Sequence, residues 1–154
     1  MTTRQDPADV ARAVIDANSY MTIATADHGG QPWPSPVWYA HAGYQQFYWI
    51  SSPTARHSRN LAARRQAGIV IFDSHTPVGI AQAVYMTATA DEATADELAP
   101  GVDALSVRSQ ARGGRPWAPD VVRAPSPVRL YCARVSELFV VAGNGQRILV
   151  SRGS

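Results

Sequence analysis

Residues 49–61 read Trp49-Ile-Ser-Ser-Pro-Thr-Ala-Arg-His-Ser-Arg-Asn-Leu61, and how this stretch folds settles the class of the whole chain. Its first part has the make-up of a strand and ends in two hydroxyls, Ser51 and Ser52. Pro53 suits the first position of a helix, where no N–H is needed. A strand running straight into a basic helix start is one way to hold a phosphate, because unpaired first-turn N–H groups and the helix dipole favour an anion. Arg56 and Arg59 lie one turn apart and offer guanidinium donors from one face, with Asn60 beside them and Leu61 turned toward a core. A capped surface helix with solvated arginines accounts for the same residues equally well.

Working outward toward the N-terminus, Asp6-Pro7 with Asp9 in the first turn predicts a helix to about Asn18, with Val10, Val14 and Ala17 as its apolar stripe. Strands follow. Met21 to Ala26, a glycine turn at Asp27-His28-Gly29-Gly30, and Pro32 to Tyr39 predict a hairpin, and His41-Ala42-Gly43 turns the chain into the third strand, Gln46 to Ser51. Pro32, Pro34 and Pro36 fall on alternate residues. Alternate N–H groups of a strand point to one side, so that side cannot donate ladder bonds, and the strand is an edge or a wall against something other than a strand.

Toward the C-terminus, a helix of roughly Pro53 to Gln66 leads to an apolar strand, Ile69 to Asp73, and to a fifth strand, Ala81 to Ala90. Thr94 and Glu97 have the spacing of a capping box and open a short helix or two before Gly113-Gly114. Arg115 to Pro127 reads as a long proline-rich loop carrying Trp117. Val128 to Val141 is a long bent strand, Gly143-Asn144-Gly145 a turn, and Gln146 to Val150 a closing strand. The expected fold is mainly β: a single domain over residues 1–154 forming a barrel of six or seven antiparallel strands with flanking helices. No Gly-x-Gly-x-x-Gly joins a strand to a helix, which disfavours a dinucleotide fold.

Composition narrows the chemistry. All 14 basic residues are arginine, so a protein-bound Schiff base and a Walker-type lysine are excluded. Apolar content of 45% excludes a disordered class, and a net charge of +2 demands neither nucleic acid nor anionic lipid. Cys132 is the only cysteine, so no internal disulfide or thiolate metal cluster forms. The N-terminal residues lack a signal-type hydrophobic core and no apolar run is long enough to span a bilayer, so a soluble, cytoplasmic protein is expected. His28, His41 and His75 fall in predicted turns without metal spacing and are expected to be exposed, as are Arg64 and Arg65. Trp33 and Trp49 are expected as core or interface anchors; Trp38 and Trp117 are open to stacking on a planar ligand.

Four local words in order, Met21-Thr-Ile-Ala-Thr25, Pro34-Ser-Pro-Val-Trp38, Tyr48 to Leu61 and Gln82-Ala-Val-Tyr-Met86, resemble the pyridoxamine 5'-phosphate oxidase-like family of flavin-binding split β-barrels. The resemblance covers about residues 8 to 90, and the ending from Pro127 more loosely. It implies a homodimer with the cofactor in a cleft between subunits, and FMN as that cofactor. The implied cofactor-binding residues are Ser35, Pro36, Val37 and Trp38 along the ring, Ile50, Ser51, Arg56, His57 and Asn60 around the phosphate, and Gln82 on the fifth strand. His57 stands where the family usually has lysine, and Tyr39 and Ala40 stand where it often has a basic residue. Gln82, as a glutamine buried on an apolar strand, has a ligand role or a purely structural one. Arg129 and Arg147 receive no role. The implied function is an FMN-dependent oxidoreductase acting on a small molecule, with no acid–base constellation needed. A deazaflavin (coenzyme F-420)-dependent reductase and a non-catalytic flavin or haem binder are the alternatives; a nucleic-acid binder using the short basic helix has little support.

Overall fold

The alternate prolines decide where the sheet stops. In the computed structural model, which describes residues 4–141 and 144–151, Pro32–Trp38 (β2) pairs only with Tyr20–Ala26 (β1), from Tyr20 opposite Trp38 to Ala26 opposite Pro32. β2 is an edge strand, as its missing donors require. After Tyr39 comes a short strand that the sequence reading took as part of a turn, Ala40–Ala42 (β3), which pairs with Gln46–Ser51 (β4). Gln66–Phe72 (β5), Ala83–Glu92 (β6) and Arg129–Val141 (β7) complete the main path, and Arg147–Leu149 (β8) pairs with β7. The antiparallel order is β2-β1-β5-β6-β7-β4-β3, so eight strands stand among the described residues against the six or seven expected. The expected turn at Gly143-Asn144-Gly145 begins outside the described residues.

The two ends of this path, β2 and β3, are consecutive in the chain, so the sheet must curl into a half-barrel. β2 comes close to β4 without laddering to it. The gap is spanned by the helix Arg56–Ala63 (α2), which packs on β1, β2 and β6. Leu61 of α2, fully buried, joins Met21, Ile23, Phe47, Trp49, Ile69, Val84 and Tyr131 inside the curl. Burying one such leucine contributes roughly 1.5–3 kcal/mol.

The helix Pro7–Ala17 (α1) forms as expected. The Asp6 carboxylate accepts from Ala8 N at 3.0 Å, and Ala11, Val14 and Ile15 close the inner core. Arg108 and Arg112 donate to the Asn18 carbonyl just past its C-terminal end, where the helix dipole favours cations. Arg108 belongs to Ala95–Ala111 (α3), and Arg112 caps that helix, which is a single one rather than a short one or two. Its capping box joins Thr94 and Glu97, and it runs on through Pro100. α3 lies on the outer face of β3, β4 and β7, where Tyr48, Leu130 and Cys132 meet Val102 and Leu105 in a second core layer. Gly101 is needed there, since a Cβ would stand 2.6 Å from Leu130 Cδ2 and 2.7 Å from Tyr48 Cδ1.

Candidate functional site

At the mouth of the half-barrel, β4 ends at Ser51 and the chain makes one turn before α2 begins. Ser52 shapes that turn: its hydroxyl accepts from Thr54 N at 3.2 Å and pairs with Thr54 Oγ1 at 2.8 Å, while its carbonyl accepts from Ala55 N at 3.1 Å. Helix α2 therefore starts at Arg56, three residues later than Pro53 suggested, because local serine and threonine bonds hold the chain in a turn. No side chain caps it, so its first-turn N–H groups, those of Arg56, His57 and Ser58, receive no side-chain partner. Ser58, buried, has a hydroxyl with no partner either.

The expected residues divide into three groups. Ser51 and His57 meet: Oγ and Nε2 are 2.7 Å apart, with donor and acceptor set by the imidazole tautomer. Burial pushes the His57 pKa below its usual value, so the ring is neutral near pH 7. Arg56 stands on the other side of the helix start, its guanidinium 4.1 Å from the ring centre of Trp33 on β2. Asn60 does not face the mouth. Its amide donates to Thr25 Oγ1 at 3.0 Å, both buried, and Thr25 donates to the Trp33 carbonyl at 3.2 Å, so Asn60 fastens α2 to the β1–β2 hairpin.

Strand alternation separates the rest. Ser35 and Val37 turn into the half-barrel and are buried, while Pro36 and Trp38 face outward, so these four side chains cannot line one face of one ring. Ile50 likewise points away from Ser51 and packs on the outer core layer, beside Trp38. Gln82 is not buried on a strand as expected. It is exposed in the loop before β6, where the Ile80 N–H bonds to the Pro77 carbonyl and Gly79 takes φ +95°, delaying the ladder until Phe72 meets Ala83. Ser51 lies at the opposite end of β6, where Glu92 faces Tyr131 and Tyr131 faces Trp49. Ten strand residues separate the two ends, about 33 Å. Within one protomer Gln82 and Ser51 do not share a site.

Several other expectations change. Trp49 and Tyr131 stack in the core at 5.6 Å, but Trp33 is 39% exposed and serves as the platform for Arg56. His41 is on β3 and largely enclosed; its Nε2 meets Asp16 at 2.9 Å and its Nδ1 accepts from Tyr44 N at 3.2 Å, leaving neither nitrogen open. Arg64 and Arg65 are exposed, as expected, while Arg65 pairs with Asp91 at 2.7 Å and Arg64 donates to the His28 carbonyl. Trp33 and Thr25 were missed as parts of the site. A threonine among the apolar inward positions of β1 was the available signal.

Outside the curl, Thr22, Ala24, Gly68, Val70, Tyr85 and Phe139 form an apolar groove of about 380 Å³, with Arg147 lying 4.5 Å over the Tyr85 ring. Among the described residues no group of three metal-binding side chains comes together, and no helix is long and apolar enough to cross a membrane.

A family profile described as pyridoxamine 5'-phosphate oxidase matches residues 8–142. No curated protein matches the chain by sequence. Among solved structures, a heme-binding protein from Mycobacterium smegmatis superposes with a TM-score of 0.76 at 25% identity, covering 96% of this chain and 59% of that one. The present chain thus spans less than two thirds of that protein. The heme storage protein HutZ from Vibrio cholerae gives a TM-score of 0.70 at 17% identity, covering 88% of this chain and 95% of that one. A protein described as an F-420 reductase gives 0.59 at 14% identity, covering 84% and 94%. The last two likenesses speak for the fold alone.

Proposed function

The chain belongs to the pyridoxamine 5'-phosphate oxidase family, and from that premise we propose that it binds the deazaflavin coenzyme F-420 at the mouth of the half-barrel and acts as a reductase of a small molecule. The observation that carries this reading is the neutral Ser51–His57 pair at the uncapped start of α2. Phosphate esters suit such a start, with free N–H groups, the Ser51 hydroxyl and Arg56 as donors. A phosphomonoester such as that of FMN brings about −1.5 to −2 charges near neutral pH. The phosphodiester of coenzyme F-420 brings one, which suits a helix start whose second position is an uncharged imidazole. The unpartnered Ser58 hydroxyl adds an unmet polar group to the same turn.

A second copy of the chain completes the site in this proposal. The outer apolar groove offers a surface to bury, and Gln82, a strand's length from Ser51 in its own chain, would have to reach that site from the second copy. When bound, the deazaflavin supplies hydride at its ring. The protein holds the phosphate, shields the ring from water and leaves room for substrate.

Haem is the second reading, supported by the 25% identity to a heme-binding protein over 96% of this chain. Against it, His41 has both nitrogens engaged, His57 Nε2 rests on Ser51, and the exposed pair that remains is His28 and His75, the latter with Nδ1 3.4 Å from Asp73. Absorbance and mass of any chromophore carried by the purified protein, followed by titration with coenzyme F-420, FMN and haemin, separates the readings. Micromolar F-420 binding, weakened roughly tenfold or more by Arg56→Ala, is the expected result. A Soret band with no F-420 binding overturns it in favour of haem.

A further inference from the structure

We propose that Arg129 of β7 is the second cation of the anion site, supplying from the sheet the charge that α2 lacks at His57. The inference rests on the phosphate reading above. In the β4–β7 ladder Ser51 and Arg129 are direct partners. Directly opposed residues of antiparallel strands place their side chains on one face, with Cβ atoms about 5 Å apart. The Ser51 hydroxyl is itself 2.7 Å from His57 Nε2, so Arg129 begins one side-chain width from that pair.

Its guanidinium is held by carbonyls and meets one carboxylate, at long range. Nη1 donates to the carbonyls of Ser126 at 2.5 Å and Val128 at 2.8 Å, and the side chain is only 25% exposed. Carbonyls orient a cation without cancelling its charge. The nearest carboxylate, Glu92 Oε1, is 3.9 Å from Nε and is itself 58% exposed. Nη2 has no partner among the described residues. Other arginines of the fold are differently occupied: Arg134 is gripped by Glu97 and Asp91, and Arg108 and Arg112 close the end of α1. Arg129 is thus oriented by the loop before β7 while keeping donor capacity at the Ser51 end of the sheet. Arg56, in the first turn of α2, is braced on Trp33 of β2, and Arg129 begins opposite Ser51, which meets His57 of that same turn. The ligand class is a phosphate ester, met by one arginine from the helix and one from the strand.

The test is a fluorescence titration with coenzyme F-420, with inorganic phosphate as competitor, on the full chain at several salt concentrations. Arg129→Gln should weaken the coenzyme roughly tenfold and flatten its salt dependence. Arg129→Lys, which keeps the charge but not the two carbonyl bonds, should restore the salt dependence and most of the affinity. Glu92→Gln, which removes the opposing charge, should tighten binding a few-fold. If Arg56→Ala weakens binding while Arg129→Gln and Glu92→Gln leave it unchanged, Arg129 is outside the site and the phosphate reading survives. If Arg56→Ala also has no effect, the phosphate reading itself falls. Should Arg129→Gln fail to fold, the lysine and Glu92 variants decide: no salt dependence in the first and no tightening in the second overturns the assignment.

Discussion

Under the proposed phosphate reading, replacing His57 by lysine is expected to make the protein bind a phosphate-bearing cofactor better while folding slightly less well. A hydrogen bond from a neutral imidazole to a phosphate oxygen contributes about 0.5–1.5 kcal/mol, and one from an ammonium group about 1.5–3 kcal/mol. The difference, about 1–2 kcal/mol, is roughly a 5- to 30-fold gain in affinity. Position 57 is half-buried, which also costs the lysine some hydration, so the lower end of that range is expected. The lost Ser51–His57 bond should lower the melting temperature by about 2–4 °C for a chain of this size. Fluorescence titrations with coenzyme F-420 and FMN at pH 8, where the wild-type imidazole is neutral, measure the gain directly. FMN should gain more, because its phosphate carries the larger charge. At pH values low enough to protonate His57 the advantage of lysine should shrink. Unchanged or weaker binding of both cofactors at pH 8, in a variant that has lost the expected few degrees, would refute the placement of the phosphate beside position 57.

Two further expectations concern the fold that carries the site. Gly101→Ala should destabilise by roughly 1–3 kcal/mol although alanine is the better helix former by about 1 kcal/mol, because Leu130 and Tyr48 are buried and cannot give way; a rise in the urea midpoint would mean that α3 sits farther from the sheet. Glu97 is held at a pKa of about 2, first by its hydrogen bonds to Arg134 and then by Thr94 N, with burial opposing. A depressed folded-state pKa stabilises the protein above the ordinary carboxylate range, so a contribution on the order of 3 kcal/mol should fade as pH falls from about 4.5 toward 2. Urea midpoints measured from pH 6 to 3 should drop in the wild type and much less in Arg134→Gln; equal drops would locate the acid sensitivity elsewhere.

Much of the fold can be read from the chain because its signals are local. Three prolines at alternate positions point to an edge or a wall rather than an inner strand, and Asp6-Pro7 favours a helix start. The start of α2 was misplaced because Ser52 and Thr54 compete for the backbone N–H groups that a helix from Pro53 would need. The sequence suggests a short helix or two before Gly113-Gly114 where one helix forms, and the close approach of Tyr48 and Leu130, which makes Gly101 useful inside it, is a tertiary fact. That Ser51, Arg56 and His57 gather at one helix start was legible in the sequence; the geometry of the other candidate residues was not. Strand parity sent Ile50 and Trp38 to the far side of the sheet, Asn60 was claimed by Thr25, and the loop ahead of β6 put Gln82 a strand's length away.

Tyr39 alone joins β2 to β3, the two free ends of the sheet path, and no ladder bonds cross between them. A barrel with a complete ladder would have to break backbone hydrogen bonds to admit anything at its wall. This one has a seam, and where β2 nears β4 it is bridged by side chains of α2, Arg56 on Trp33 and His57 on Ser51, rather than by main chain. Widening that seam would cost side-chain contacts while every strand kept its ladder partners, so the break in the sheet is where the wall yields most cheaply.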